Sequence, residues 1–246
     1  MKRFFTALIL MSALITGCAS NSDSMEPIRD KTQETDIETE SNDEAMVKTT
    51  DDQLLKFADD TEKSDSNVLV AYFSRMDNID FDESVDAVTS ASINNDNGDF
   101  AGNAAILADY ASKASKGDIF SIQTEEKYPS AYRETTDIAA DEKADNARPA
   151  LSTHVENMEQ YDTVILIYPN WWGTIPMPVA AFLEEYDFSG KKILPVCTHE
   201  GSAMGDSEND INKIVPEADI VSGLSIRGGS VKDSENDVVD YINGNI

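Results

Sequence analysis

From residue 67 onward, the apolar positions fall into short unbroken runs rather than alternating ones. The runs are NVLVAYF (67–73), GDIFSIQ (117–123), DTVILIY (162–168), KKILPVC (191–197) and DIVSGLSI (219–226). Unbroken β-branched and aromatic stretches of this length predict strands buried on both faces, as in a parallel sheet. Between them lie stretches with helical spacing: Asn103 to Lys116, a long one between Ser130 and Glu159, Ile175 to Tyr186, Asp206 to Val215 and Val231 to Asn243. Strands alternating with helices build βαβ units with right-handed crossovers. Residues 67–246 therefore predict one doubly wound α/β domain, a five-stranded parallel sheet with helices on both faces.

The first 66 residues lack this pattern. Lys2 and Arg3 precede the apolar run FFTALILMSALITG, which stops at Cys18. That run is short for a bilayer span and has the charged start and small-residue end of an export signal. ITGC resembles a bacterial lipobox, so residues 1–17 are expected to be a lipoprotein signal peptide and Cys18 the lipidated residue. Residues 18–66 are mostly acidic, hydroxylic and amide side chains. They bury too little apolar surface to offset their ordering entropy and are expected to form a disordered acidic tether, with DDQLLKFADD a candidate short helix within it. The protein is accordingly expected outside the cell, lipid-anchored to the outer face of the bacterial membrane. Cys197 is the one other cysteine, so no disulfide between two unmodified cysteines can form.

Net charge sharpens the partner list. At −28, the acid spread along the chain argues against nucleic acid, which needs a basic face, and against adhesion to anionic lipid. Attachment to a membrane is left to the acyl anchor. GxxxxGK[ST], GxGxxG and GxSxG are all absent from the sequence, which gives no support to nucleotide hydrolysis, a dinucleotide fingerprint or a serine esterase. Two histidines, His154 and His199, without a spaced cysteine or acid cluster argue against a structural zinc.

In an open parallel sheet, ligands bind beyond the carboxyl ends of the strands, where the strand order reverses. Ser74 follows the first predicted strand, PNWWG the third and THEGSAMG the fourth. In the order 2-1-3-4-5 those three strands are neighbours, so the loops of unusual composition converge. Trp171 and Trp172, the two tryptophans of the chain, stand side by side between Asn170 and Gly173. Adjacent residues of an extended chain face opposite ways, so one core cannot take both indoles.

VAYFSR, GN at the head of the first helix, NARPAL, YPNWWGTIPMPV and THEGSAMG, in this order, resemble the flavodoxin-like family, in particular its long-loop bacterial branch. The resemblance covers essentially all of residues 67–246. It implies the order 2-1-3-4-5 and non-covalent binding of flavin mononucleotide (FMN). Ser74, Gly102, Asn103 and Ala104 would then meet the phosphate, through hydroxyl, backbone N–H and helix N-terminus. Ala104 stands where the family often has threonine, and residues 75–101 intervene as an acidic insertion that either covers the site or projects into solvent. Pro169, Asn170, Trp171, Trp172 and Gly173 would line the flavin ring on one side, with one indole stacked on it. Thr198, His199, Glu200, Gly201 and Ser202 would flank the other, His199 as a candidate proton donor. Tyr132 and Arg148 are candidate substrate contacts at the rim.

These features imply an FMN-binding redox lipoprotein. It would act either as an electron carrier between proteins or as an NAD(P)H:quinone-type reductase. The competing class is a binding lipoprotein that kept the fold without the cofactor, to which Ala104 and the interrupted phosphate loop point.

Overall fold

The central apolar runs become strands covered by helices on both sides, whereas those at the sheet edges stay partly exposed. In the computed structural model the described residues are 66–81, 86, 90–96 and 99–246, all within one compact unit, Lys56–Ile246. The expected signal peptide, Cys18, the tether as far as Asp65 and DDQLLKFADD lie outside the described residues. The elements in chain order are β1 (Val68–Tyr72), β2 (Ile93–Asp96), β3 (Asp99–Gly102), α1 (Asn103–Ser115), β4 (Asp118–Ser121) and α2 (Tyr132–Ala144). They continue as β5 (Thr163–Pro169), α3 (Met177–Glu185), β6 (Lys192–His199), α4 (Ser207–Ile214), β7 (Asp219–Ile220), β8 (Leu224–Arg227) and α5 (Glu235–Asn243).

The main sheet runs β4-β1-β5-β6-β7, with β8 also beside β6, and every ladder is parallel. Side chains alternate along each strand between two cores. Val68 and Val70 of β1, Ile165 and Ile167 of β5, and Leu194 and Val196 of β6 meet Ala104, Leu107, Ala108 and Ala111 of α1 and Val238 and Ile242 of α5. Leu69, Ala71, Val164, Leu166, Tyr168, Ile193 and Cys197 meet Val179, Ala180, Phe182 and Leu183 of α3 and Ile211 of α4. Each buried Val, Leu, Ile or Phe among them contributes about 1.5–3 kcal/mol by leaving water. This is the predicted doubly wound α/β fold.

Two expected elements differ. The fifth strand is broken into β7 and β8, because Pro195 sits where β6 should bond to it. Val221 donates its N–H to the Ile193 carbonyl at 3.1 Å. Pro195, two residues on, turns its backbone to the same neighbour but has no N–H to give. Its carbonyl instead accepts the Tyr241 hydroxyl at 3.2 Å. The second difference is the long helix expected between Ser130 and Glu159. It ends at Ala144, and Asn146 then takes a φ of 50°. The chain turns back beside the segment after β4, where Ser152 donates to Gln123 and Glu125 to the Ala150 carbonyl. Pro149 keeps Arg148 out of helical geometry.

Ile93–Asp96 of the insertion form a small antiparallel ladder with Asp99–Gly102, β2 with β3. Among the described residues no helix is long and apolar enough to cross a membrane.

Candidate functional site

The third and fourth loops, which follow β5 and β6, are joined backbone to backbone. Asn170 donates its N–H to the Thr198 carbonyl at 2.7 Å and its side-chain amide to the Ala203 carbonyl at 3.0 Å. Its Oδ1 accepts the Gly173 N–H at 2.9 Å. Asp206 N–H bonds the Gly173 carbonyl at 2.8 Å. Gly205 has φ +57° and passes so near that a Cβ there would lie 2.2 Å from the Gly173 oxygen. Only glycine allows this approach.

Within the third loop, Trp171 and Thr174 bond each other in both directions, at 3.0 and 3.2 Å. The two residues between them, Trp172 and Gly173, have φ of 53° and 85°. These are the angles of a type I′ turn, in which both central residues are left-handed. The glycine takes such an angle freely. A bulky residue such as the tryptophan held there costs about 1–3 kcal/mol. The turn separates the indoles. Trp171 stands edge-on to Phe73 (5.2 Å, 90°) and to Tyr128 (5.3 Å, 88°), and its Nε1 donates to Ser92 Oγ at 3.1 Å. Trp172 is 55% exposed. It lies against α2, with Nε1 donating to the Thr136 carbonyl at 2.9 Å and its own carbonyl accepting Lys143 Nζ at 2.5 Å.

These loops wall a cavity of about 610 Å³ at the carboxyl ends of the central strands. Its other walls come from Arg75, from Ser90–Ser92 of the insertion, and from Tyr132, Thr135, Thr136 and Ala139 of α2. Of the candidate ring contacts, Asn170, Trp171, Trp172, Gly173, Glu200, Gly201 and Ser202 line it, and so does Tyr132. Pro169 and Thr198 are buried beneath this wall as paired residues of β5 and β6.

The head of α1 is arranged differently from the expectation. Ser74, Gly102, Asn103 and Ala104 are all buried, and none lines the cavity. The insertion lies over them. Asn103 donates its N–H to the Ser92 carbonyl at 2.9 Å and its side-chain amide to the carbonyls of Ser90 (2.8 Å) and Ala91 (3.1 Å). Thr198 Oγ1 donates to the Ala91 carbonyl at 2.6 Å. A Cβ on Gly228 would stand 2.3 Å from the Ser90 carbonyl oxygen, so that glycine also admits the segment. Ser74 Oγ is buried without a partner among the described residues.

His199 and Arg148 do not line the cavity. His199 Nδ1 accepts the Gly201 N–H at 2.8 Å. Its pKa is lowered, first by burial and then by Arg227, against a smaller opposing effect of Glu200. The ring is therefore neutral near pH 7, with its proton on Nε2. A lowered pKa behind the cavity wall makes it a poor donor to a bound ligand. Arg148 follows α2 and turns to α3, with Nη2 bonded to Glu184 Oε1 at 2.6 Å and Nη1 to the Asn146 and Ala147 carbonyls. It is a bracket between elements rather than a rim contact. Cys197 is fully buried and its thiol is pushed up to about 12 by burial, which suits packing rather than redox chemistry.

Sequence reasoning missed Arg75, the residue after Ser74. It is 1% exposed and lines the cavity. Its guanidinium lies 5.8 Å from the centre of the Tyr132 ring. Nη2 donates to the Ser130 carbonyl at 2.5 Å and Nη1 to the Asp86 carbonyl at 3.4 Å. Nε is buried with no partner among the described residues. The sequence signal was a lone arginine directly beyond a buried strand of a strongly acidic chain.

A doubly wound α/β protein with a walled cavity beyond its central strands is what this geometry defines. The sequence profile of a flavodoxin family, Flavodoxin_4, matches residues 98–243, more than half of the chain. The chain belongs to this flavodoxin family. Among solved structures it is similar to a candidate flavoprotein from Bacteroides uniformis, 25% identical over 72% of this chain and 98% of that one, with a TM-score of 0.54. A second candidate flavoprotein, from Bacteroides eggerthii, is 25% identical over 70% of this chain and 96% of that one, with a TM-score of 0.51. No curated protein matches the chain.

For a flavin, the fit is divided. To a ring the cavity offers the indoles of Trp171 and Trp172 and the polar groups of Asn170, Gly201 and Ser202. The helix N-terminus expected at the phosphate end is taken by the insertion's carbonyls, but an incompletely paired guanidinium lies on the cavity wall instead.

Proposed function

We propose that the chain is an FMN-binding redox protein of the flavodoxin family, held at the outer face of a bacterial membrane by lipid on Cys18. The observation that carries this is the cavity at the carboxyl ends of β1, β5 and β6, walled by Trp171 and Trp172. A bound flavin supplies the redox chemistry, exchanging electrons or hydride with its partners. The chain's own part is to hold the ring and admit those partners. Trp172, exposed and bonded to the Thr136 carbonyl, lines the cavity, while Trp171 keeps the turn seated on Phe73 and Tyr128. Glu200, Gly201 and Ser202 close the far side.

Of the two redox modes, a reductase passing hydride from a nicotinamide to a quinone suits this site better than a bare carrier. The insertion and α2 add walls to the cavity, which suits a covered site for a small substrate.

The test is the visible spectrum of the purified full-length chain, followed by titration of its tryptophan fluorescence with FMN. Flavin absorbance and quenching are expected. Their absence would overturn the proposal in favour of a cofactor-less binding lipoprotein, a second reading favoured by the covered head of α1. With flavin bound, oxidation of reduced nicotinamide in the presence of a quinone is expected. No turnover would assign the carrier mode.

A further inference from the structure

We propose that Arg75 is the anion receptor of the cavity and takes the phosphate of bound FMN in place of the head of α1. This rests on the flavin reading above.

A helix N-terminus receives phosphate through free N–H groups and its positive dipole end. At α1 the Asn103 N–H and side-chain amide already serve the carbonyls of Ser90, Ala91 and Ser92. Those three carbonyls place negative partial charge where a phosphate would approach. The Ser74 hydroxyl lies beneath them, 1% exposed and off the cavity wall. The expected cradle is closed from the ligand side.

Arg75 has the opposite condition. A guanidinium carries five N–H donors and is always charged. Here two nitrogens have only neutral carbonyl partners, one of them at 3.4 Å, and Nε has none among the described residues. Among the described residues the carboxylate paired with it is that of Asp86, which stands 4.0 Å away and is itself 58% exposed. A buried cation so weakly compensated is costly, and a phosphate monoester bound by paired N–H···O contacts would remove that cost. The side chain is held for the purpose. Tyr132 lies along its guanidinium, and Asp86 fixes the start of α2 by accepting the Tyr132 N–H at 2.5 Å.

The rest of the wall agrees. Among the described lining residues Arg75 is the single cation, in a chain of net charge −28 that would otherwise repel a dianion. Ser90, Ser92 and Tyr132 line the cavity with it. Ser92 Oγ accepts the Trp171 indole N–H, which leaves its own proton for another acceptor.

FMN and riboflavin differ only in the phosphate, so the pair isolates this contact. The full-length chain and its Arg75→Gln and Arg75→Lys variants are titrated with each flavin, read by tryptophan quenching, at low and raised salt. The wild type is expected to bind FMN about 10-fold or more tighter than riboflavin, with the preference shrinking as salt screens it. Arg75→Gln should bring FMN down to the riboflavin affinity, and Arg75→Lys should keep part of the preference. Equal wild-type affinity for the two flavins, or an FMN preference that survives Arg75→Gln, overturns the assignment. If Arg75→Gln does not fold, as judged by circular dichroism, the wild-type preference, its salt dependence and Arg75→Lys decide in the same way. A wild type that binds neither flavin overturns the functional reading, and this inference with it.

Discussion

Part of the cavity wall is two loops whose flanking strands already lie side by side; around Arg75, an insertion folds back against α1 and β6 instead. The Asn170–Gly173 loop is bonded to Thr198, Ala203 and Asp206 through a glycine that admits no substitute at that distance. The Ser90–Ser92 segment touches α1 through three hydrogen bonds from Asn103, touches β6 and Trp171 through one each, and rests on one close approach, at Gly228. The first arrangement is mainly a backbone weld, whereas the second is mainly a set of side-chain latches. The difference teaches where this site tolerates change: latches can be re-cut one at a time, but the weld cannot.

Gly205→Ala and Gly102→Ala put that contrast to its hardest test. Both would place a Cβ within hard-sphere range of a neighbour, 2.2 Å from the Gly173 carbonyl oxygen and 2.0 Å from Ser74 Oγ respectively. The outcomes should differ because of what each Cβ meets. At Gly205 the obstacle is backbone and φ is +57°, so steric and conformational penalties add to about 3 kcal/mol or more. At Gly102 φ is −72° and the obstacle is a hydroxyl that can rotate, so about 1 kcal/mol is expected. Urea unfolding midpoints of the two variants measure this. Equal losses would mean that weld and latches are alike in rigidity.

The paired tryptophans give the next largest effects. Trp171→Ala removes two edge-on aromatic contacts and the bond to Ser92, at a cost of about 2–4 kcal/mol. Trp172→Gly should leave stability unchanged or raise it by up to about 1 kcal/mol, because glycine takes a φ of 53° without strain. The same variant should weaken flavin binding about 10-fold through the lost stacking face. One tryptophan thus answers to denaturant and the other to ligand. If both variants lose stability equally, the division between scaffold and ring wall is wrong.

What the sequence made legible follows the same line between weld and latch. β1, β5 and β6 are unbroken apolar runs, and their neighbours in space are set by βαβ geometry, so PNWWG and THEGS could be brought together on paper. Pro195 was visible too, but the break it makes in the last strand depends on which way its backbone faces, a matter of register. The end of α2 at Ala144 was marked only weakly, by Asp145 and Asn146, which favour caps and turns but do not forbid a helix as proline does. Elsewhere, Ser74 and Gly102–Ala104 were chosen on the assumption of a short loop between them. Residues 90–92 changed their surroundings through carbonyl groups, which every residue type carries and no motif reveals. Arg75 could not be singled out for the same reason. Its importance comes from being buried with too few partners, which is a property of packing.

The smallest effect concerns His199, which stands just behind the weld. Its folded-state pKa lies below the ordinary value of 6.5, chiefly through burial, with repulsion from Arg227 added and attraction to Glu200 opposing. The unfolded chain therefore takes up the proton first as pH falls. Between 6.5 and the lower folded value, the unfolded state holds more protons, and stability rises with pH. This contribution is complete above 6.5 and is lost as pH falls through the folded value. Protonation also turns Nδ1 into a donor and breaks its bond to the Gly201 N–H, so the fourth loop should loosen over the same interval. Urea midpoints of the wild type and His199→Gln, compared from pH about 7.5 to about 5, read the difference. The wild type should lose more than the variant on acidification. If the segment around Arg75 is the one sensitive to acid, the two chains will fall in parallel, and the loosening will belong to the latches rather than the weld.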